Sequence, residues 1–254
     1  MSLSDNIDLT PGAVYKFPKG PDYSKLSEEF LKNGIVKIKV ENKDALADLH
    51  RIISPREGLS PDTLNEDRLN TINKLASYTN VRELYYSLAK NALHEIIGNE
   101  LVMQRNINLS IQLPGDDSSL LPIHSDSLQG DSVFECVLWT PLCDVYDTKS
   151  MFFTDKKASD EALSHLSDFK AIAEIYEYLK PHIRYVDCKL GECLIFSQCI
   201  FHGNTTNLTN ETRWSLNCRF KSLFSPYTDK KLGEFFVPVS TKPATKFGLQ
   251  YVRG

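Results

Sequence analysis

The chain has 254 residues, 41% of them hydrophobic and 24% charged, a globular composition long enough to bury one substantial core. Its formal net charge of −4 and the lack of any Lys/Arg-rich run argue against nucleic acid and anionic membrane surfaces as partners. No apolar run approaches the roughly 18 residues of a spanning helix, and the polar, acidic start from Met1 to Leu9 lacks a secretory layout, so the expected location is the cytoplasm.

The first hundred residues read as mainly helical. Tyr23 to Lys32 carries Leu26, Phe30 and Leu31 near helical spacing and stops at Gly34. Ile35 to Val40 alternates as a strand, Lys43 to Ile53 is a short helix, and Ser54 to Asn70, with two prolines, reads as loop. Asn80 followed by Val81 to Gly98 gives the most regular helical pattern, with Leu84, Leu88, Ala92 and Ile96 on one face. Beyond residue 100 the pattern changes to strands. Met103 to Leu113 alternates without a break, placing Gln104, Asn106, Asn108, Ser110 and Gln112 on a polar face and Arg105 on the other. Further strands are expected at Val133 to Thr140, Ser150 to Thr154, Ile183 to Val186, Glu192 to Phe196, Ile200 to His202 and Thr212 to Phe220, with one helix, Asp160 to Leu179, inserted. Seven or more short strands suggest a sandwich or barrel. Six cysteines (Cys136, Cys143, Cys188, Cys193, Cys199, Cys218) with no C-x-x-C pair read as thiols rather than disulfides or zinc ligands.

Six histidines can each be weighed. His50, His94 and His165 fall in predicted helices and His182 at a helix end, where structural or solvent roles suffice. His124 and His202 remain. In Leu121-Pro122-Ile123-His124-Ser125-Asp126 the i, i+2 spacing on an extended segment points an imidazole and a carboxylate to one side; alone, the segment could equally be a solvated loop after Pro114 to Asp117. Downstream, Gly191 feeds the strand Glu192 to Phe196, and His202 follows. Two histidines and one carboxylate leave three positions on a metal for a bidentate co-substrate and dioxygen, whereas zinc would want a fourth ligand that has no candidate. Arg213, 11 positions past His202, could grip a carboxylate through two parallel hydrogen bonds, with Ser215 facing the same way. An isolated Arg would sooner be a surface ion pair.

The order H-x-D, G-E-x-L-x-F, distal His and Arg-x-Ser, over roughly residues 100 to 222, resembles the iron(II)- and 2-oxoglutarate-dependent oxygenases, specifically their phytanoyl-CoA dioxygenase-like branch. Gln104 to Gly115 and Leu138 to Leu142 are similar to bacterial members found with surface-carbohydrate gene clusters. The resemblance implies an α+β fold, a double-stranded β-helix (jelly-roll, cupin-like) backed by N-terminal helices, as one oxygenase domain: a mainly helical part at 1–99, a core at 100–222 and a C-terminal extension at 223–254. It implies Fe(2+) on His124, Asp126 and His202 as the catalytic centre, and 2-oxoglutarate anchored by Arg213 and Ser215. The implied reaction consumes dioxygen, yields succinate and hydroxylates a small-molecule substrate. Halogenating relatives lack the carboxylate, so Asp126 favours hydroxylation or desaturation. The Asn-Gly and Pro-Gly-Ser-His segments of many relatives are absent, and only Ser150 offers itself there. Gln104, Asn106 and Asn108 are the substrate-side candidates, amides suited to a sugar or nucleotide sugar. Two alternatives stay open: a cupin-like metal isomerase or dioxygenase without 2-oxoglutarate, and a non-catalytic carbohydrate-binding protein. The oligomeric state is not legible.

Overall fold

The computed structural model describes residues 23–251, so the reading of Met1 to Leu9 lies outside the described residues. The elements, in chain order, are α1 Tyr23–Asn33, β1 Ile35–Lys39, α2 Lys43–Ile53, α3 Leu64–Ala76, α4 Val81–Ser87, α5 Lys90–Ile96, β2 Leu101–Gln104, β3 Asn108–Gln112 and β4 Glu135–Pro141. There follow β5 Phe152–Thr154, α6 Lys156–Ser164, α7 Ile172–Leu179, β6 Ile183–Tyr185, β7 Glu192–Ser197, β8 His202–Gly203, β9 Arg213–Ser222, β10 Phe236–Ser240 and α8 Pro243–Gly248. Gly34 turns α1 directly into β1: its φ is +68° and a Cβ there would lie 2.5 Å from Ile200 Cδ1, so glycine is required. Asn42 caps α2 by accepting from Ala45 N at 3.0 Å.

Several sequence expectations are corrected. The stretch read as loop to Asn70 contains most of α3, which buries Leu64, Thr71 and Leu75; these contacts are spaced too widely to give a strong periodic signal. The helix expected over Val81 to Gly98 is two, α4 and α5, and Asn80 makes no side-chain cap. The break at Leu88–Ala89 is held by Glu41, whose carboxylate accepts from Asn91 N and Ala92 N at 2.8 and 2.9 Å and so caps α5 instead. The inserted helix is likewise two, α6 and α7, separated by a 3₁₀ turn at Leu166–Asp168.

The unbroken strand from Met103 to Leu113 is β2 and β3, bent at Arg105 and Asn106, because the ten residues of β9 serve both. β2 pairs with its C-terminal half and β3 with its N-terminal half. The C-terminal extension contributes β10, which pairs β2 through Phe236 opposite Gln104. A seven-stranded sheet therefore runs β1-β7-β4-β9-β2-β10, with β3 also on β9, and a three-stranded sheet runs β6-β5-β8. Since β1 and β10 lie in the large sheet, the boundaries at 99/100 and 222/223 do not separate sheet from non-sheet.

Alternation along β9 fixes what each face of the large sheet meets. Trp214, Leu216, Cys218 and Phe220 enter one core with Leu49 and Ile53 of α2, Tyr85 of α4 and Leu93 of α5, so the N-terminal helices do back the sheet. On the other face Val137, Trp139, Leu194 and Phe196 pack with Phe153, Val186 and Ile200 at the small sheet. The same face of β9 presents Arg213, Ser215, Asn217, Arg219 and Lys221. Polar groups thus occupy part of the space between the two sheets.

Candidate metal centre

His124 and His202 meet as a cross-strand pair. Each backbone N donates to the other's carbonyl at 2.9 Å, which places both side chains on one side with ring centroids 4.4 Å apart. Gly203 permits the approach: a Cβ there would lie 2.7 Å from Leu121 O. Ser125, extended at φ −115° and ψ 127°, points the opposite way and donates to Gln198 O at 2.8 Å, which turns Asp126 back toward the histidines at the start of a 3₁₀ turn. His124 Nε2 is 3.6 Å from Asp126 Oδ1, and His202 Nε2 is 3.9 Å from Oδ2. One ligand atom from each residue lies within 4.8 Å of the other two, an arrangement that could hold a metal ion.

The tautomers suit that use. Nδ1 of His124 lies 2.7 Å from Pro122 O, and Nδ1 of His202 lies 2.9 Å from Ile200 O. A carbonyl only accepts, so each Nδ1 carries a proton, and Nε2 is the nitrogen that can meet a metal once any proton on it is displaced. Burial between the rings of Phe153 and Phe196 pulls the His202 imidazole down to about 4, against the opposing pull of Asp126. Burial also lowers His124, but the hydrogen bond to Asp126 and the Pro122 carbonyl outweigh it and leave the group raised. For Asp126, burial acts to raise the carboxyl; the His124 hydrogen bond and the charges of His202 and Arg219 prevail and hold it far below the usual range. The site offers nitrogen, nitrogen and an ionised oxygen, and among the described residues no fourth His, Cys or acidic ligand joins the cluster.

Arg213 lies at the start of β9 and is 2% exposed. Its Nη2 donates to Ser110 Oγ at 3.3 Å, while its Nε and Nη1 and the Oγ of Ser215 are buried without a partner. No carboxylate among the described residues pairs with it, and burial pulls the guanidinium down to about 10. Gln112, directly opposite Arg213 in the ladder, and Ser150 also carry buried unpaired oxygens. A buried cation beside several unsatisfied polar atoms is costly for a fold unless an anionic ligand answers it.

The polar strand residues divide. Gln104 Nε2 donates to Asn108 Oδ1 at 3.1 Å, and Asn108 Nδ2 to Asn217 Oδ1 at 2.9 Å, an amide ladder across β2, β3 and β9. Asn106 is exposed in the bend between the strands, apart from that ladder. Arg105 donates to the carbonyls of Gly233 and Glu234, a structural role. Sequence reasoning missed Arg219, whose Nη2 is 3.2 Å from Asp126 Oδ1, and the buried Gln198 beside it. Arg219 was within reach, since it lies on the Arg213 face of β9; nothing in the sequence marks Gln198.

The architecture is that of the double-stranded β-helix with helices on one sheet, a fold shared with solved non-haem enzymes. Among these, the chain is similar to a non-haem monooxygenase, ThoJ, solved as a nickel complex, with a TM-score of 0.57 at 17% identity over 85% of this chain and 84% of that one. AviO1 from Streptomyces viridochromogenes Tue57 matches with a TM-score of 0.57 at 16% identity, over 83% of this chain and all 100% of its own. The non-haem alpha-ketoglutarate-dependent carbocyclase SnoK from nogalamycin biosynthesis gives 0.57 at 12% identity, over 91% and 100%. At such identities the likeness is one of fold. No family model matches the chain. No curated protein matches it either.

Proposed function

We propose that this chain is an iron(II)- and 2-oxoglutarate-dependent oxygenase of the phytanoyl-CoA dioxygenase-like branch, in which His124, Asp126 and His202 hold the metal. The observation that carries this is Arg213: a buried guanidinium without a carboxylate partner, on the strand that also bears Arg219 against Asp126. The far carboxylate of 2-oxoglutarate would answer this buried charge, accepting from the guanidinium and from Ser215 Oγ, groups that otherwise lack partners. A binding protein without catalysis, or a cupin-like enzyme without the co-acid, has no use for that buried charge. The ThoJ structure with nickel and the co-acid dependence of SnoK fit the same reading.

Bound iron and 2-oxoglutarate supply oxidative decarboxylation coupled to oxygen insertion into a C–H bond. The chain's own tasks are physical. His124 and His202 present Nε2 to the metal because their Nδ1 protons are tied to carbonyls, Asp126 supplies the charge, and Phe153 and Phe196 keep water from the His202 side. The substrate is inferred to be a small hydroxyl-rich molecule, such as a sugar or nucleotide sugar of surface polysaccharide synthesis, because Gln104, Asn108 and Asn217 offer an amide ladder beside the Arg213 face. His124→Ala, Asp126→Ala and His202→Ala should each abolish succinate formation while the metal-free chain stays folded. Full activity in any one would sink the assignment.

A further inference from the structure

The Asp126 carboxylate also belongs to a second cluster, which the reaction above leaves unused. Arg219 spans two carboxylates, with Nη2 3.2 Å from Asp126 Oδ1 and Nε 3.2 Å from Asp131 Oδ1. Asp131 is 4% exposed and is also ion-paired to Lys230. Gln198, in the amide orientation that satisfies both its ends, donates to Asp126 Oδ2 and accepts from Arg219 Nε at 3.1 Å. Residues 226–230 lie across the loop that follows Asp126. Thr228 Oγ1 donates to Gly130 O at 2.7 Å, Ser132 Oγ donates to Pro226 O at 3.0 Å, and Lys221 Nζ donates to the same Pro226 carbonyl. Gly130, at φ +82°, leaves room for Asp229, whose Oδ2 would stand 2.9 Å from a Cβ.

We propose that Arg219 is a positioning residue that fixes the orientation of the Asp126 carboxylate toward the metal, and that residues 226–230 form a strap which holds Arg219 in place through Asp131. The proposal rests on the metal site described above. An aspartate carboxylate left alone can rotate and coordinate through either oxygen. A planar guanidinium that bridges it to a second, buried carboxylate removes that freedom, and Gln198 fixes the other oxygen. A guanidinium beside a divalent ion also repels it. If Arg219 acted only as a charge, its removal would therefore tighten metal binding; positioning demands the opposite. The sign of the change separates the two.

The test is anaerobic titration of the full chain with cobalt(II), followed by the visible d–d absorption, for wild type, Arg219→Lys, Arg219→Met and Lys230→Met. Lysine keeps the charge but lacks the planar fork whose two separate nitrogens hold Asp126 and Asp131 in fixed directions. Both Arg219 variants should bind cobalt about 10- to 100-fold more weakly, the usual cost of losing a partner behind a metal ligand, and give an altered d–d spectrum at saturation. Lys230→Met leaves Arg219 and all three ligands in place, and should shift affinity the same way by a smaller factor. It also keeps the test open should the Arg219 variants fold poorly. Unchanged or tighter binding with a wild-type spectrum in Arg219→Lys, or in Lys230→Met, overturns the proposal. A wild-type chain that takes up no cobalt overturns the metal site itself, a separate and visible outcome.

Discussion

Replacing Arg213 by methionine sets the stability of the ligand-free protein against its response to 2-oxoglutarate. Burial pulls the guanidinium well down from its ordinary value, to about 10, so carrying the proton in the folded state costs about 3 kcal/mol. The unfolded chain holds that proton more readily, and the penalty therefore acts in full at every pH below about 10. Against it stands one hydrogen bond to Ser110 Oγ, worth about 1 kcal/mol. Arg213→Met should then stabilise the metal-free protein by about 2 kcal/mol, a rise of roughly 4–8 °C in Tm for a chain of this size. The same change removes the partner of a buried carboxylate, a loss of about 3–5 kcal/mol, or roughly 10²- to 10³-fold or more in 2-oxoglutarate affinity. Thermal melts with manganese(II), with and without 2-oxoglutarate, read both effects. Wild type should melt lower alone and gain about 2.7 kcal/mol at a hundredfold excess of ligand over Kd, while the variant melts higher and does not respond. A variant that melts below wild type yet still shifts with 2-oxoglutarate would refute the reasoning.

Gly203→Ala would drive a Cβ into Leu121 O and Phe152, parting the His124–His202 backbone pair; cobalt affinity should fall at least tenfold in a chain whose circular dichroism is unchanged. Two buried groups oppose each other as pH changes in the metal-free protein. The folded pKa of His202 is lowered to about 4, so its contribution is present above 6.5 and lost as pH falls through that window. Glu135 is raised to about 7, chiefly by burial, so its effect has the opposite slope: the unfolded chain ionises first and stability falls from pH 4.5 to 7. Urea unfolding should therefore show Glu135→Gln gaining stability more steeply than wild type between pH 4.5 and 6.5. Asn217→Ala should raise KM for the oxidised substrate about tenfold, the worth of roughly one hydrogen bond, and leave 2-oxoglutarate affinity unchanged.

What could be read in advance followed the physics of period and spacing. The bounds of α2 were visible because Asn42 caps it and its buried residues, Ala45, Leu46, Leu49, Ile52 and Ile53, keep one face. The alternation from Arg213 to Phe220 was visible for the same reason, and with it the two faces of β9. Breaks were not visible, since they come from distant partners: Glu41 ends α4 and starts α5 from 50 residues away, and β9 splits β2 from β3 by pairing both. The spacing of His124 and Asp126 placed them correctly on one side. Their meeting with His202 depends on a backbone pair that no local pattern encodes. Gln198, Asp131 and Lys230 carry no spacing signal at all, because Gln198 reaches Asp126 from a turn, while Asp131 reaches Arg219 from a loop and Lys230 reaches Asp131 from the C-terminal segment.

The most direct test of the account is anaerobic addition of iron(II) and 2-oxoglutarate to the purified chain, read as metal-to-ligand charge-transfer absorption in the visible. One iron per chain should bind, and the band should require both additions, vanish in Asp126→Ala, and need far more 2-oxoglutarate in Arg213→Met. A wild-type chain that gives no band, or an Asp126→Ala chain that gives the same one, would contradict the site described here.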